Sequence, residues 1–225
     1  REELRREFTA NVSHELKTPL TSISGIAEIM CSGMVKAEDI QSFAGDIYQE
    51  AQRLIALVED IIRLSRLDEG AETLEREDVN LLTLAQDVAR RLDPAAQKAG
   101  VTLKVMGRSA EVNGIPSVLG EMVYNLCDNA IKYNRPGGTV NVTVAPDDRG
   151  TELTVEDTGI GIPVEDQSRV FERFYRVDKS HSKEIGGTGL GLSIVKHGAS
   201  LHGAQLHMDS QVGRGTCIQL RFPKA

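Results

Sequence analysis

His14 stands in the string Val12-Ser13-His14-Glu15-Leu16-Lys17-Thr18-Pro19-Leu20, a set of residue types that can do nucleophilic chemistry. A neutral imidazole nitrogen is a good nucleophile near neutral pH. Glu15 is adjacent and can hydrogen-bond the other ring nitrogen, which fixes the tautomer and makes Glu15 a candidate base. Thr18 follows at i+4, one helical turn on and on the same face. Pro19 cannot donate to the carbonyl of Glu15, so a bend just past the histidine is expected. A single histidine in such a place is more often an ordinary surface side chain beside a helix kink; it is the full string that favours chemistry.

A second group of residues suits a nucleotide. In Asn125-Leu-Cys-Asp-Asn129-Ala-Ile-Lys132-Tyr133, the two asparagines and the lysine share one helical face at i, i+4 and i+7. Amide oxygens can ligate or orient Mg²⁺, Lys132 can reach a phosphate as a point charge, and Tyr133 can lie against a purine. A solvated polar face is the plainer alternative, although asparagine is a poor helix former in an interior. Asp157-Thr-Gly159-Ile160-Gly161-Ile162 follows an apolar strand. A carboxylate there can accept from an exocyclic amine such as adenine N6, and glycines let backbone approach a flat ring; taken singly, the string is more often a strand-ending turn. Gly186-Gly187-Thr188-Gly189-Leu190-Gly191-Leu192 opens a helix and offers free N–H groups to phosphate. Between the glycine strings lies Phe171-Glu-Arg173-Phe-Tyr-Arg176-Val-Asp178, two arginines among aromatic anchors, which reads as a lid or as an ordinary helix turn with a surface ion pair. Leu192 stands where a dinucleotide fingerprint needs glycine, and no Walker A string or Ser/Thr-kinase signature occurs.

These residues require two kinds of scaffold. Up to about residue 68, two long helices are predicted. Leu4, Phe8, Val12, Leu16, Leu20, Ile23, Ala27 and Met30 recur at helical spacing on the first, ended by Cys31-Ser32-Gly33. His14 falls about 160° from the centre of that stripe and should face outward. On the second, Ile40, Ala44, Ile47, Ala51, Leu54, Val58 and Ile61 alternate by four and three, a coiled-coil-like seam, with Phe43, Leu57 and Leu64 on a line beside it. Two helices alone cannot cover stripes this wide, so a homodimer through residues 1–68, closing a four-helix bundle, is expected. Residues 69–80 are charged, include Gly70 and lack an apolar period, as a hinge does. From 81 to 225 helices (84–99, 116–133, 190–202) mix with strands (79–81, 101–106, 139–144, 151–157, 204–209, 216–222), which predicts an α+β two-layer sandwich.

Composition narrows the class. Net charge is −7 and aromatics are 4 % of 225 residues, so the chain repels nucleic-acid backbones and has few rings for base stacking. Cys31, Cys127 and Cys217 are odd in number and widely spaced, which fits reduced thiols of a cytoplasmic protein and no zinc site. No apolar run approaches the ~20 residues of a membrane span, so no direct membrane contact is expected. The chain starts at Arg1, not Met, and reads as a piece of a longer protein.

Taken together, the strings resemble the sensor histidine kinases of the HisKA type. His14 to Leu20 resembles their H box, Asn125 to Tyr133 the N box, Asp157 to Ile162 the first glycine box, Phe171 to Asp178 the F box and Gly187 to Leu192 the second glycine box; Gly213-Arg-Gly-Thr216 is similar to a further glycine element. They occur in the family's order along nearly the whole chain. The resemblance implies a dimerising phosphoacceptor hairpin followed by an ATP-binding domain of the GHKL (Bergerat) fold. It further implies that His14 accepts the γ-phosphoryl group with Glu15 as base, that Asn129 ligates Mg²⁺ with Asn125 and Lys132 beside the phosphates, and that Asp157 recognises adenine with Tyr133 nearby. Further ATP contacts would come from Gly159, Ile160, Gly161, Ile162, Arg173, Arg176, Gly187, Thr188, Gly189, Leu190, Gly191, Leu192 and Thr216. The phosphoryl group would pass to an aspartate of a response-regulator receiver domain. Glu15 and Thr18 would also serve dephosphorylation of that regulator, and the parent protein would be anchored in the bacterial inner membrane. Two other readings stand beside this one. A chaperone- or mismatch-repair-type ATPase shares the nucleotide elements but has no need of the His14 string, and a degenerate, non-enzymatic scaffold has no need of an intact His14, Asn129 and Asp157.

Overall fold

The structure, a computed structural model, describes residues 2–70, 74–178 and 186–224, with side chains from residue 8 to 68 in the first stretch. Helix α1 (Glu2–Cys31) and helix α2 (Ile40–Gly70) pack as a hairpin, joined through Gly33 and a 3₁₀ turn at Ala37–Asp39. α1 is assigned as one helix across Pro19, which is itself buried. The Thr18 hydroxyl donates back to the His14 carbonyl at 3.3 Å. Leu4 of the predicted stripe falls outside the described side chains; Phe8, Val12 and Leu16 pack against the core, whereas Leu20 is exposed.

On α2 the predicted seam is not the buried line. Ile40 and Val58 are exposed, at 48 % and 38 %, whereas Leu57, Leu64 and Leu67 beside it are buried at 6 %, 0 % and 4 %. The reason is tertiary. The α/β part of the chain docks on that second line and takes it into the common core, leaving Leu20, Ile40, Tyr48, Ile55, Val58 and Ile62 uncovered.

The stretch expected as a hinge, residues 69–80, has regular structure at both of its ends. α2 continues to Gly70, residues 71–73 lie outside the described residues, and Glu77–Asn80 is a strand, β1. β1 overlaps the strand expected at 79–81 and pairs antiparallel with β3 (Glu111–Gly114), a largely polar strand of four residues that the sequence did not reveal. Asn80 then caps α3 (Leu81–Ala99), its Oδ1 accepting from the Thr83 N–H at 3.1 Å. Gly100 ends α3 in the left-handed region.

The main sheet has the order β2 (Thr102–Gly107), β4 (Thr139–Asp147), β5 (Gly150–Asp157), β7 (Gly215–Pro223), β6 (Gln205–Gln211). β2 runs parallel to β4 and the other pairs are antiparallel. Alternate residues turn inward, so Val155 stands between Val142 and Ile218, and Leu153 between Val144 and Leu220, all buried. Their apolar surface meets α3, α4 (Pro116–Lys132) and α6 (Gly191–Leu201), which supply Val88, Leu92, Leu119, Met122, Leu126, Ile194 and Val195 to one core. The two-layer α+β sandwich is present, with a short helix α5 (Val164–Gln167) beyond the predicted elements.

His202, just past α6, ties two of these helices together. It is 5 % exposed, its Nε2 accepts from the Ile115 N–H at 3.0 Å, and its Nδ1 lies 2.7 Å from the Gly198 carbonyl. Nε2 must therefore be the acceptor and Nδ1–H the donor, a neutral ring. Burial holds its pKa below the ordinary 6.5. The unfolded chain thus takes up a proton that the native fold resists. The contribution of His202 to stability is complete above about 6.5 and falls as pH drops from there through the lowered native value. His202→Ala should cost about 2–3 kcal/mol by orphaning the Ile115 N–H and leaving a gap. Urea midpoints at pH 7.5 and 5.5 check both points: the variant should be the less stable at pH 7.5 and should show a smaller acid loss than wild type.

Candidate functional site

A cavity of about 740 Å³ opens between α4, the end of β5, the glycine strings and α2. Asn125, Asn129, Lys132 and Tyr133 line it from α4, Asp157 from β5, Thr216 from β7, and Ile160, Gly161, Ile162, Arg176, Gly187, Thr188, Gly189, Gly191 and Leu192 from the loops and the start of α6. Three expected contacts lie elsewhere. Leu190 is wholly buried in the core. Gly159 packs against the backbone of Tyr133 and donates its N–H to Asp157. Arg173 grips both carboxylate oxygens of Asp68 at 3.0 Å and covers the Phe8 ring at 4.7 Å, so it fastens the α/β part to the hairpin.

Asp157 ends a central strand, where the sheet carries it into the cavity. Its Oδ1 accepts from the Gly159 N–H at 2.8 Å and the Thr216 N–H at 3.3 Å. Burial nevertheless pushes its pKa up to about 6 against these bonds. A carboxylate desolvated within a cleft is costly to the fold and marks a place where a ligand is to be read. Gly161, at φ 72°, brings the neighbouring loop against β6, where a Cβ would stand 2.1 Å from the Gln211 carbonyl oxygen. Ile162 N–H and Thr216 Oγ1 both meet Ser210 Oγ at 2.8 Å, which closes that side.

The amide pair faces the opposite end. Asn125 is 8 % exposed and its Nδ2 donates to the Glu121 carbonyl at 2.8 Å. A Cβ added to Gly191 would stand 3.0 Å from Asn125 Oδ1 and 3.9 Å from Asn129 Oδ1. Two amide oxygens therefore converge beside the first residue of α6, a donor set suited to a hard cation that keeps waters and phosphate oxygens. Lys132 Nζ pairs with Asp128 at 2.7 Å, which keeps the ammonium at the cavity wall.

The segment expected as a lid, residues 171–178, contains strained backbone. Phe174 has φ 65°, rare for an aromatic residue, and its N–H donates to the Gly189 carbonyl at 2.8 Å. Gly189 sits at φ 77° with no room for a Cβ against Phe174. The Phe174 ring stacks on Phe8 of α1 at 5.8 Å. Arg176 donates from Nη2 to Glu15, while its buried Nε–H has no partner among the described residues. Residues 179–185 of the expected glycine-rich loop lie outside the described residues.

His14 is exposed, as its place on the helix predicted, and lines neither this cavity nor the smaller one beside it. That second cavity joins Glu15, Thr18 and Pro19 to Arg176, Gly186, Gly187 and Thr188. Glu15 is thus paired with Arg176, across the junction between the hairpin and the α/β part. Sequence reasoning missed Asp60 and Arg63 of α2, which line the large cavity. The available signal was a carboxylate on the buried line of α2, between Leu57 and Leu64.

Known proteins agree with this arrangement. Residues 4–70 match the His Kinase A (phospho-acceptor) domain and residues 114–225 the histidine kinase-, DNA gyrase B-, and HSP90-like ATPase family. A mycobacterial sensor histidine kinase, MprB, has a solved chain of which 97 % is covered, at 33 % identity and a TM-score of 0.58, by 66 % of this chain. This chain belongs to the sensor histidine kinases. Sensor-like histidine kinase SenX3 of Mycolicibacterium smegmatis is 38 % identical over 99 % of the kinase chain, and sensor histidine kinase WalK of Bacillus subtilis is 35 % identical over 97 %. The kinase chain spans 58 % of that SenX3 and 36 % of that WalK. The same two-part fold occurs in ThkA, solved in complex with the response regulator protein TrrA, with a TM-score of 0.79, 23 % identity and coverage of all of this chain and 64 % of that one. The phospho-acceptor match sets the kinase apart from a chaperone- or repair-type ATPase.

Proposed function

We propose that the kinase phosphorylates its own His14 with ATP and passes the phosphoryl group to an aspartate of a response-regulator receiver domain, with Glu15 and Thr18 also serving dephosphorylation of that regulator. One observation carries the reading: an exposed imidazole on a hairpin shares its chain with a cleft framed by a buried carboxylate and a convergent amide pair. Asp157 would accept from the adenine amine with Tyr133 near the ring. Asn129, with Asn125 beside it, would hold Mg²⁺, which supplies charge neutralisation on the phosphates when bound; Lys132, Thr188 and Arg176 would face the same end. His14 attacks the γ-phosphorus through one ring nitrogen, the bond to the bridging oxygen breaks toward ADP, and the proton on the imidazole passes to Glu15. Such transfer depends mainly on positioning and charge, and here positioning requires the α/β part to move on the hairpin.

The apolar residues uncovered on α1 and α2 support a homodimer through residues 1–68, and the division into hairpin, linker (69–80) and ATP-binding part (81–225) belongs to the same proposal. Among the described residues no helix is long and apolar enough to cross a membrane. A sensing part and an anchor in the cell membrane would lie in the length by which the relatives exceed this chain. Incubation with γ-labelled ATP and Mg²⁺ tests the reaction. The label on the protein should be acid-labile and alkali-stable, as on a phosphohistidine; an acid-stable label on Ser or Thr, or none, contradicts it.

A further inference from the structure

The hairpin carboxylates that meet the α/β part hold donors the nucleotide would need. Asp60 is 9 % exposed, and its Oδ2 accepts from the Thr188 hydroxyl at 2.7 Å. Arg63 holds Asp60 Oδ1 at 3.2 Å and reaches Glu121 of α4 at 3.7 Å. Asp60 shares the large cavity with Asn129 and Lys132, and the Lys132 charge is close enough to oppose the rise that burial imposes on its pKa. On the other helix, Glu15 accepts from Arg176. Thr188 and Arg176 line the same cavity and, on its reading as an ATP site, would face the phosphates.

We infer that the docked hairpin inhibits its own nucleotide site: the carboxylates of Asp60 and Glu15 occupy Thr188 and Arg176 in place of phosphate oxygens, so this docking and triphosphate binding exclude one another. The inference rests on the reading of the cavity as an ATP site. Carboxylate and phosphate oxygens are acceptors of the same kind, and a hydroxyl proton given to one is not available to the other. A polyphosphate would also bring several negative charges beside Asp60 and Glu121 in a partly desolvated cleft, where repulsion is stronger than in water. Asp60 deprived of Thr188 would be a buried carboxylate short of a partner, so it must return to solvent and take α2 off the cleft. Loading with ATP then frees the α/β part, the movement that presentation of His14 requires, and the coupling is reciprocal.

The test compares affinities of the full chain for Mg²⁺-ATP and for adenosine, which has no phosphate, in wild type and Asp60→Asn. The amide keeps the shape and a Thr188 acceptor but removes the charge. ATP should bind about tenfold tighter to the variant, as expected when a competing state is withdrawn, with adenosine affinity unchanged within about twofold. ATP, and not adenosine, should raise the radius of gyration of the wild-type chain in X-ray scattering. Equal ATP affinities, weaker ATP binding by the variant, or an equal gain for both ligands would overturn the inference while leaving the ATP site standing. Absence of ATP binding in both proteins would overturn the site and the inference together.

Discussion

His14→Gln should reduce phosphoryl incorporation from γ-labelled ATP to background while leaving nucleotide affinity within about twofold of wild type and stability within about 0.5 kcal/mol. The separation follows from position. The imidazole is exposed and lines neither cavity, so its removal takes away the acceptor and leaves the cleft as it was. Glutamine keeps polarity and helix propensity, and lacks a ring nitrogen able to form the phosphoramidate. Quantitative labelling, paired with a fluorescent-nucleotide titration of the same preparation, reads both halves. Persistent label on the variant would place the acceptor elsewhere, and a parallel loss of nucleotide binding would mean that His14 supports the cleft and not only the chemistry.

Asp157→Ala should weaken nucleotide binding about 100-fold, the order expected when a charge-assisted hydrogen bond in a desolvated site is lost. Among the described residues, Asp157 is the one carboxylate carried by a central strand into the cavity, and its Oδ1 also organises the N–H groups of Gly159 and Thr216. Its pKa of about 6 predicts a pH profile. The ionised form is the one that accepts from an amine, so wild-type affinity should be flat above about pH 6.5 and fall below about 6, by up to tenfold per pH unit. The effect on folding has the opposite sign. The native state binds this proton more tightly than the unfolded chain, whose carboxyl titrates near 3.8, so ionisation across that window lowers stability, and Asp157 is a cost to the fold at neutral pH. Asp157→Asn keeps the acceptor for both N–H groups. It should match or exceed wild type in Tm while losing affinity and its dependence on acid. Unchanged affinity in either variant would remove Asp157 from adenine recognition.

The chemistry-bearing residues were legible because their placement is local. Helical periodicity put His14 opposite the apolar stripe of α1 and put Asn125, Asn129 and Lys132 on one face of α4. Strand alternation followed by Asp-x-Gly put Asp157 at a strand end. Pro116 at the first turn of α4 and Gly100 past the end of α3 are local signals of the same kind. What was not legible is what a distant surface decides. On α2 the α/β part docks on the second apolar line, Leu57 and Leu64, and leaves Ile40 and Val58 of the seam exposed. Arg173, expected among the ATP contacts, meets Asp68 of the hairpin, 105 residues away. β3 carries too few apolar residues to announce itself and is recognisable only by its pairing with β1, which overlaps the strand expected at 79–81.

The sequence by itself determined which side chains can act, on which helix or strand each sits, and that two scaffolds carry them, because propensity, periodicity and turn chemistry act over a few residues. Tertiary structure alone decided which charges meet. Glu15 with Arg176 and Asp60 with Thr188 join residues 161 and 128 positions apart. Such pairs arise from the docking of one packed unit on another, and no spacing along the chain encodes that geometry.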